Sequence, residues 1–129
     1  MKRSLIILLA VSVFAACGSG DSKEKKSNGD KTADITKDPV YQKGLELIGR
    51  PEMNCLTCHK VDETLQGPPY RDIANKYASY SDTIVAHLAK KVINGGTGVW
   101  GQIWMTPHTD LSMEDAEAMV KYILLLKNK

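Results

Sequence analysis

The sequence of 129 residues predicts one small all-α domain, since domains usually contain about 100 to 150 residues. Three observations support a helical fold. Apolar residues recur every three or four positions in several segments, helix-capping residues stand at the ends of these segments, and no stretch alternates apolar and polar residues as a strand would. Two loops rich in Gly and Pro, 60–68 and 95–111, are expected to connect the helices.

The amino terminus is predicted to be a targeting segment outside this domain. After a short basic start, residues 5–16 form an apolar run that is too short for a membrane span of about 20 residues but typical of a signal-peptide core. The run ends in Phe14-Ala15-Ala16-Cys17, which resembles the cleavage box of bacterial lipoproteins. The resemblance implies that residues 1–16 are a lipoprotein signal peptide and that Cys17 carries a lipid. An ordinary signal peptide with a free Cys17 is the alternative.

Cleavage at this position would change both the cysteine count and the net charge. Three cysteines are an odd number for an exported protein, and lipidation of Cys17 would leave Cys55 and Cys58 as one unit. Loss of Lys2 and Arg3 would leave 15 of the 17 basic residues against 15 acidic ones. No basic excess then remains to indicate nucleic-acid binding.

Residues 17–37 are predicted to form the lipidated cysteine and a flexible polar tether, because they are mixed in charge and nearly free of large apolar side chains. Twenty such residues span roughly 25 Å. The domain at 38–129 is therefore expected to stay anchored at a bacterial membrane, facing the periplasm or the cell exterior.

The first helix is predicted to begin at Asp38, an N-cap acid followed by a proline, and to end at Gly49. We expect Val40, Leu45 and Ile48 to form its apolar face.

Three further helices are predicted along the domain. The second covers residues 69–77, and the third covers 81–94 and is stopped by Gly95. The last begins at Ser112, with Asp115 completing a variant of the capping box. Its apolar residues follow helical spacing and predict a buried stripe: Ala116, Met119, Val120, Ile123 and Leu124.

The stretch Cys55-Leu56-Thr57-Cys58-His59 admits three chemistries. A redox dithiol would require a thioredoxin-like sheet, which the sequence does not predict. A structural zinc site would require four ligands, and only His87 and His108 remain, at no zinc-finger spacing. Cys-x-x-Cys-His is the attachment signature of c-type haem. Two cysteines at this spacing reach the two vinyl groups on one haem edge, and His59 then places its imidazole at the iron.

A methionine is the expected second axial ligand, because Met together with His raises the reduction potential of haem iron. Met53 lies too close to the attachment site, Met113 is in the first turn of a helix, and Met119 belongs to the buried stripe. Met105 lies in the long Gly-rich loop, 46 residues beyond His59, far enough to reach the opposite face of the ring.

Residues 98–108, which read GVWGQIWMTPH, resemble the ligand loop of small bacterial class I cytochromes c of the cytochrome c-551 type, where Gly-Val-Trp-Gly precedes Pro-Met-Pro-Pro. Leu65-Gln66-Gly67-Pro68, Asn94-Gly95 and the last helix extend the resemblance over residues 40–127. It implies a class I cytochrome c fold, in which four to five short helices surround one covalently bound haem.

The resemblance implies a role for each matching residue. Cys55 and Cys58 would form the thioether bonds, with His59 as proximal and Met105 as distal iron ligand. The carbonyl of Pro68 would accept a hydrogen bond from the outer ring nitrogen of His59 and fix its tautomer.

Three further residues would contact the haem or its surroundings. The indole N–H of Trp100 would reach a haem propionate, and its ring would pack in either case. Gly67 and Gly101 would let the backbone approach the ring. Trp104 departs from the family pattern, because it replaces the proline before the ligand methionine.

His108 stands where the family often has an asparagine. One hypothesis is that its ionisation makes the reduction potential depend on pH between about pH 5 and 8; the other interpretation is an exposed loop histidine without such an effect. His87 is predicted to be a surface or rim residue, with ligation of the iron by two histidines as the remaining alternative.

The sequence thus predicts a one-electron carrier that cycles between Fe(III) and Fe(II) and meets a donor and an acceptor redox protein in brief contacts. An iron with both axial positions filled has no site for a substrate, so we expect no enzyme activity, and we expect a monomer. The alternatives are a haem-based sensor or peroxidase-like enzyme with a labile Met105, and a tethered subunit of a larger oxidase or reductase.

Overall fold

The computed structural model describes residues 34–128, so the predicted signal peptide, Cys17 and nearly all of the tether lie outside the described residues. Within that range the chain is mostly helical, as predicted. The α-helices are α1 (Pro39–Ile48), α2 (Cys55–Cys58), α3 (Tyr70–Tyr77), α4 (Thr83–Asn94) and α5 (Met113–Leu125), with single 3-10 turns at Ile35–Lys37 and Pro51–Met53. Two short strands, β1 (Gly96–Gly98) and β2 (Gly101–Met105), follow α4.

The predicted starts of α1 and α5 are confirmed by their capping bonds. The Asp38 side chain accepts a hydrogen bond of 2.8 Å from the Val40 N–H, and Pro39 occupies the first turn. The Ser112 hydroxyl oxygen accepts one of 3.1 Å from the Asp115 N–H. These bonds satisfy N–H groups that have no partner inside the helix. Helices α3 and α4 begin within two residues of the predicted positions.

The core forms where α5 packs against α1, α3 and α4. Four of the five predicted stripe residues of α5 are buried, and the fifth, Leu124, is half-buried. Met119 is only 2% exposed, which confirms its place in the core. None of the helices in residues 34–128 has both the length and the apolar character that a membrane span requires.

The apolar face predicted for α1 is wrong at two of its three residues. Val40 and Leu45 are 39% and 41% exposed, whereas Ile48 is buried. The contact with α5 instead centres on Gly44, where an added Cβ would lie 2.2 Å from the Cβ of Tyr122. The two helix backbones therefore approach closely at a glycine, which a search for large apolar residues does not detect.

The expectation that the loop 95–111 contains no strand is also wrong. β1 and β2 form an antiparallel hairpin in which Gly96 pairs with Met105 and Gly98 pairs with Gly101. Every residue of β2 except Met105 is exposed, so neither face of the strand is buried and no alternation is imposed on the sequence.

Candidate haem site

A cavity of about 1020 Å³ opens between α2, α3, α4, α5 and the hairpin. Its volume is at the upper end of the range of roughly 300 to 1,000 Å³ found for small-molecule and cofactor sites. Cys55, Cys58 and His59 line it from one segment, and Met105 lines it from another, 46 residues beyond His59. The fold therefore brings together the residues that the sequence separates.

The two cysteines are placed by α2, a single helical turn. Asn54 precedes it in the left-handed conformation, with φ 51°, and so turns the chain into the helix. Cys55 and Cys58 are half-buried free thiols, and burial raises the pKa of Cys55. In the described part of the chain, no group of three or more His, Cys, Asp or Glu side chains could hold a metal ion.

The imidazole of His59 is oriented by its backbone and by one hydrogen bond. The backbone N–H of His59 donates to the Cys55 carbonyl at 3.0 Å, and this bond closes the turn of α2. Nδ1 lies 2.7 Å from the Pro68 carbonyl oxygen, the contact that the resemblance implied. A carbonyl can only accept, so Nδ1 carries the hydrogen and Nε2 is left for a metal.

Gly67 and Tyr70 enclose the same ring. A Cβ at Gly67 would lie 2.3 Å from Cε1 of His59, so only glycine fits there, and its N–H donates to the Cys58 carbonyl at 2.9 Å. The ring of Tyr70 stacks on the imidazole, with centroids 5.3 Å apart and planes 16° apart. Burial raises the pKa of Tyr70. The sequence predicted Tyr70 as part of a helix but not this contact, since helical spacing does not reveal what a ring stacks on.

Met105 ends β2 and is half-buried, whereas its neighbours Ile103 and Trp104 are 63% and 66% exposed. Met53 and Met119 also line the cavity, the first beside the attachment site and the second from the core of α5. Met113 is 40% exposed and is not among the residues that line it.

The turn of the hairpin carries Trp100 to the cavity. Its side chain is 43% exposed, and the ammonium group of Lys76 lies 5.5 Å from the centre of its ring. Gly101 has φ 111°, and a Cβ there would meet no described atom within 4 Å, so the turn itself requires the glycine.

Lys91 is a cavity residue that the sequence analysis did not identify. Its ammonium group donates to the Thr97 carbonyl and forms no ion pair with a carboxylate of residues 34–128. One of two adjacent lysines on a helix gives no signal that distinguishes a cavity position from the surface.

Two histidines lie at the margin of the cavity. His108 is half-buried, and its backbone N–H donates to the carbonyls of Val92 and Ile93 at 3.3 and 3.0 Å. His87 is exposed, which agrees with the predicted surface or rim position. The effect of His108 ionisation on the potential stays a prediction.

These residues fit a covalently bound haem. The cavity has the size for a large planar ligand, two free thiols stand one helical turn apart at its wall, and His59 offers an oriented ring nitrogen. The fold and the site thus define a small, mostly helical protein of the covalent haem-binding class.

Comparison with known proteins identifies the family. The family model described as Cytochrome c matches residues 41–127, and the chain belongs to this family. Cytochrome c-552 of Nitrosomonas europaea is 46% identical over 74 residues, which are 57% of this chain and 71% of that protein. Cytochrome c-551 of Allochromatium vinosum is 38% identical over 82 residues, or 61% and 83% of the two chains.

A solved structure supports the same fold. The crystal structure of wild-type Nitrosomonas europaea cytochrome c552 is similar with a TM-score of 0.58 and 42% identity, over 64% of this chain and 99% of that one. The chain is therefore a small class I monohaem cytochrome c of the c-551/c-552 type. It is an electron carrier with one covalent haem c and is not an enzyme.

Proposed function

We propose that this cytochrome carries one electron at a time with His59 and Met105 as its two axial ligands. The observation that supports this ligand pair most directly is that both side chains line one cavity although 46 residues separate them. When bound, the haem iron supplies the Fe(III)/Fe(II) couple, and the protein adjusts its potential through ligand choice, hydrogen bonds and burial.

Cys55 and Cys58 would hold the haem covalently from α2. The Pro68 carbonyl keeps the hydrogen on Nδ1 of His59, which makes Nε2 the more basic ligand atom. Trp100 and Lys91 both line the cavity, and the Trp100 indole N–H and the Lys91 ammonium group would bind the haem carboxylates.

The absorption spectrum of the matured, oxidised protein tests this ligand pair. We expect a far-red charge-transfer band from a methionine sulfur on Fe(III). The band should disappear in Met105→Ala and persist in Met113→Ala, which removes an exposed methionine. Loss of the band in Met53→Ala with retention in Met105→Ala would contradict the assignment.

We further propose that the protein is exported, is anchored by a lipid on Cys17 and acts as a monomer on membrane-associated redox partners through brief contacts. The sequence of residues 1–37 supports this part of the proposal. Mass spectrometry of the mature protein should find an acylated Cys17 as the first residue, and Cys17→Ala should release the protein from membranes. If Cys17 is found unmodified, the proposed lipid anchor is contradicted, whereas the proposed electron-carrier function is unaffected.

A haem-based sensor with a labile Met105 is the second candidate for the site. It is favoured by the exposure of Ile103 and Trp104, which leaves the strand that carries Met105 with few side-chain contacts. Rapid binding of carbon monoxide to the reduced wild-type protein would support it, whereas slow binding supports a firmly held methionine. Co-purification with a membrane oxidase or reductase would instead identify a tethered subunit.

A further inference from the structure

Backbone atoms of residues 105–107 lie close against the carboxyl end of α4. Gly95, the C-cap of α4, is buried, and a Cβ there would lie 2.4 Å from the Met105 carbonyl oxygen and 2.7 Å from the Pro107 nitrogen. Real Cβ atoms do not approach backbone so closely, and backbone cannot rotate away as a side chain can. We call this approach of Gly95 to residues 105–107 the Gly95 contact.

The conformation of Gly95 is also specific to glycine. Its φ of 63° and ψ of −149° lie at the border of a region that side chains with a Cβ hardly enter. An alanine would therefore meet two obstacles at once, a strained backbone and a clash with the ligand segment.

A backbone hydrogen bond, shared between two carbonyls of α4, also fixes the segment that follows residues 105–107. The N–H of His108 donates to the carbonyls of Val92 and Ile93, which lie in the last turn of α4 and are otherwise short of donors. Met105 thus pairs with Gly96 in the hairpin, and three residues later the backbone of His108 is anchored on α4.

We propose that Gly95 is a positioning residue for the distal ligand: the Gly95 contact sets where Met105 stands in the wall of the haem cavity. This inference rests on the proposed ligation by Met105. The three atoms nearest to a Cβ at Gly95 are all backbone atoms, so the position of the sulfur depends on how closely two backbone segments approach.

Gly95→Ala in the matured full-length protein tests the inference, with Gly98→Ala as its control. Gly98 lies in the same hairpin as Met105, and a Cβ there would meet only the flexible end of Lys91, at 3.8 Å. The control therefore adds the same methyl group nearby and omits the clash.

We expect Gly95→Ala to weaken the far-red methionine band and to raise the affinity for added imidazole, which competes with Met105, by about tenfold, because strain of this kind shifts the population with a free sixth position. Gly98→Ala should change both by less than about threefold. In a Met105→Ala background the effect of Gly95→Ala on imidazole affinity should vanish, since the two substitutions would act through the same ligand.

A second pair of variants applies if Gly95→Ala does not mature. His108→Pro removes the N–H that anchors the segment, and His108→Ala keeps it. We expect only the proline variant to lose the band and to bind imidazole more tightly.

Three results would overturn the inference. If wild type lacks the band, the ligation by Met105 and this inference fail together. If wild type shows the band and Gly95→Ala retains it with unchanged imidazole affinity, only the inference fails. If neither Gly95→Ala nor His108→Pro matures while both controls do, the contact serves folding and not ligand placement.

Discussion

The two sides of the haem cavity hold their ligand residues by different means. The His59 ring is itself fixed by three close contacts: its Nδ1 donates a hydrogen bond of 2.7 Å to the Pro68 carbonyl, the Gly67 backbone lies against it and Tyr70 stacks on it. Met105 is held by backbone pairing, and the side chains beside it are exposed. The comparison indicates a rigid proximal side and a distal side that yields first when the protein is perturbed.

The largest expected effect comes from crowding the proximal side. In Gly67→Ala the new methyl group would lie 2.3 Å from Cε1 of His59 and displace the imidazole. We expect a loss of about 3 kcal/mol in the free energy of unfolding, the upper end of overpacking effects, together with a lower yield of holoprotein. Thermal and denaturant unfolding measure it. Gly98→Ala is the control, because its Cβ would meet only Lys91, at 3.8 Å.

A substitution on the distal side should change the reduction potential of the haem more than the free energy of unfolding. In Met105→His a second imidazole would replace the sulfur, and the midpoint potential should fall, since methionine ligation raises it. Potentiometry measures the potential, and urea unfolding should show a loss smaller than that of Gly67→Ala. An unchanged potential would mean that Met105 is not a ligand.

A smaller effect is expected from the ring that stacks on His59. Tyr70→Leu removes the stack and should lower the free energy of unfolding by about 1 kcal/mol beyond the change in buried area. Tyr70→Phe keeps the ring and should retain most of that energy. Equal losses in the two variants, measured by denaturant unfolding, would show that the hydroxyl matters and not the stack.

The smallest effect concerns pH. The Arg71 guanidinium beside Asp62 holds the pKa of that carboxyl below its usual value. The group therefore contributes stability above the ordinary aspartate pKa of about 3.9, and this contribution is lost as pH falls through the lower pKa of the folded protein. Both side chains are accessible to solvent, so the change should be slight. Asp62→Asn should remove this part of the acid dependence from the unfolding curve.

The helices and the proximal site could be predicted because their signals are local. Asp38 and Ser112 lie beside the N–H groups that they cap, and the two cysteines and His59 form a single turn. Met105 could be inferred because the sequence around it resembles a known ligand loop. Each of these inferences needed only neighbouring residues.

The features that the sequence did not predict depend on contacts between distant segments. The hairpin has no buried face, so β2 shows no alternation, and its register is visible only in the pairing of Gly96 with Met105. The stacking of Tyr70 on His59 and the place of Lys91 in the cavity wall likewise arise from how α3 and α4 are oriented. A resemblance can indicate such residues only where the family motif includes them.

The close crossing of α1 and α5 at Gly44 has a consequence for the order of folding. Gly44 and Tyr122 are separated by 78 positions, and the segments that line the cavity lie almost entirely between them. Bringing such distant positions together requires closure of a long chain loop, and contacts of this kind slow folding. A bulkier residue at Gly44 should therefore delay formation of the haem cavity, while the molecules that do mature keep their reduction potential.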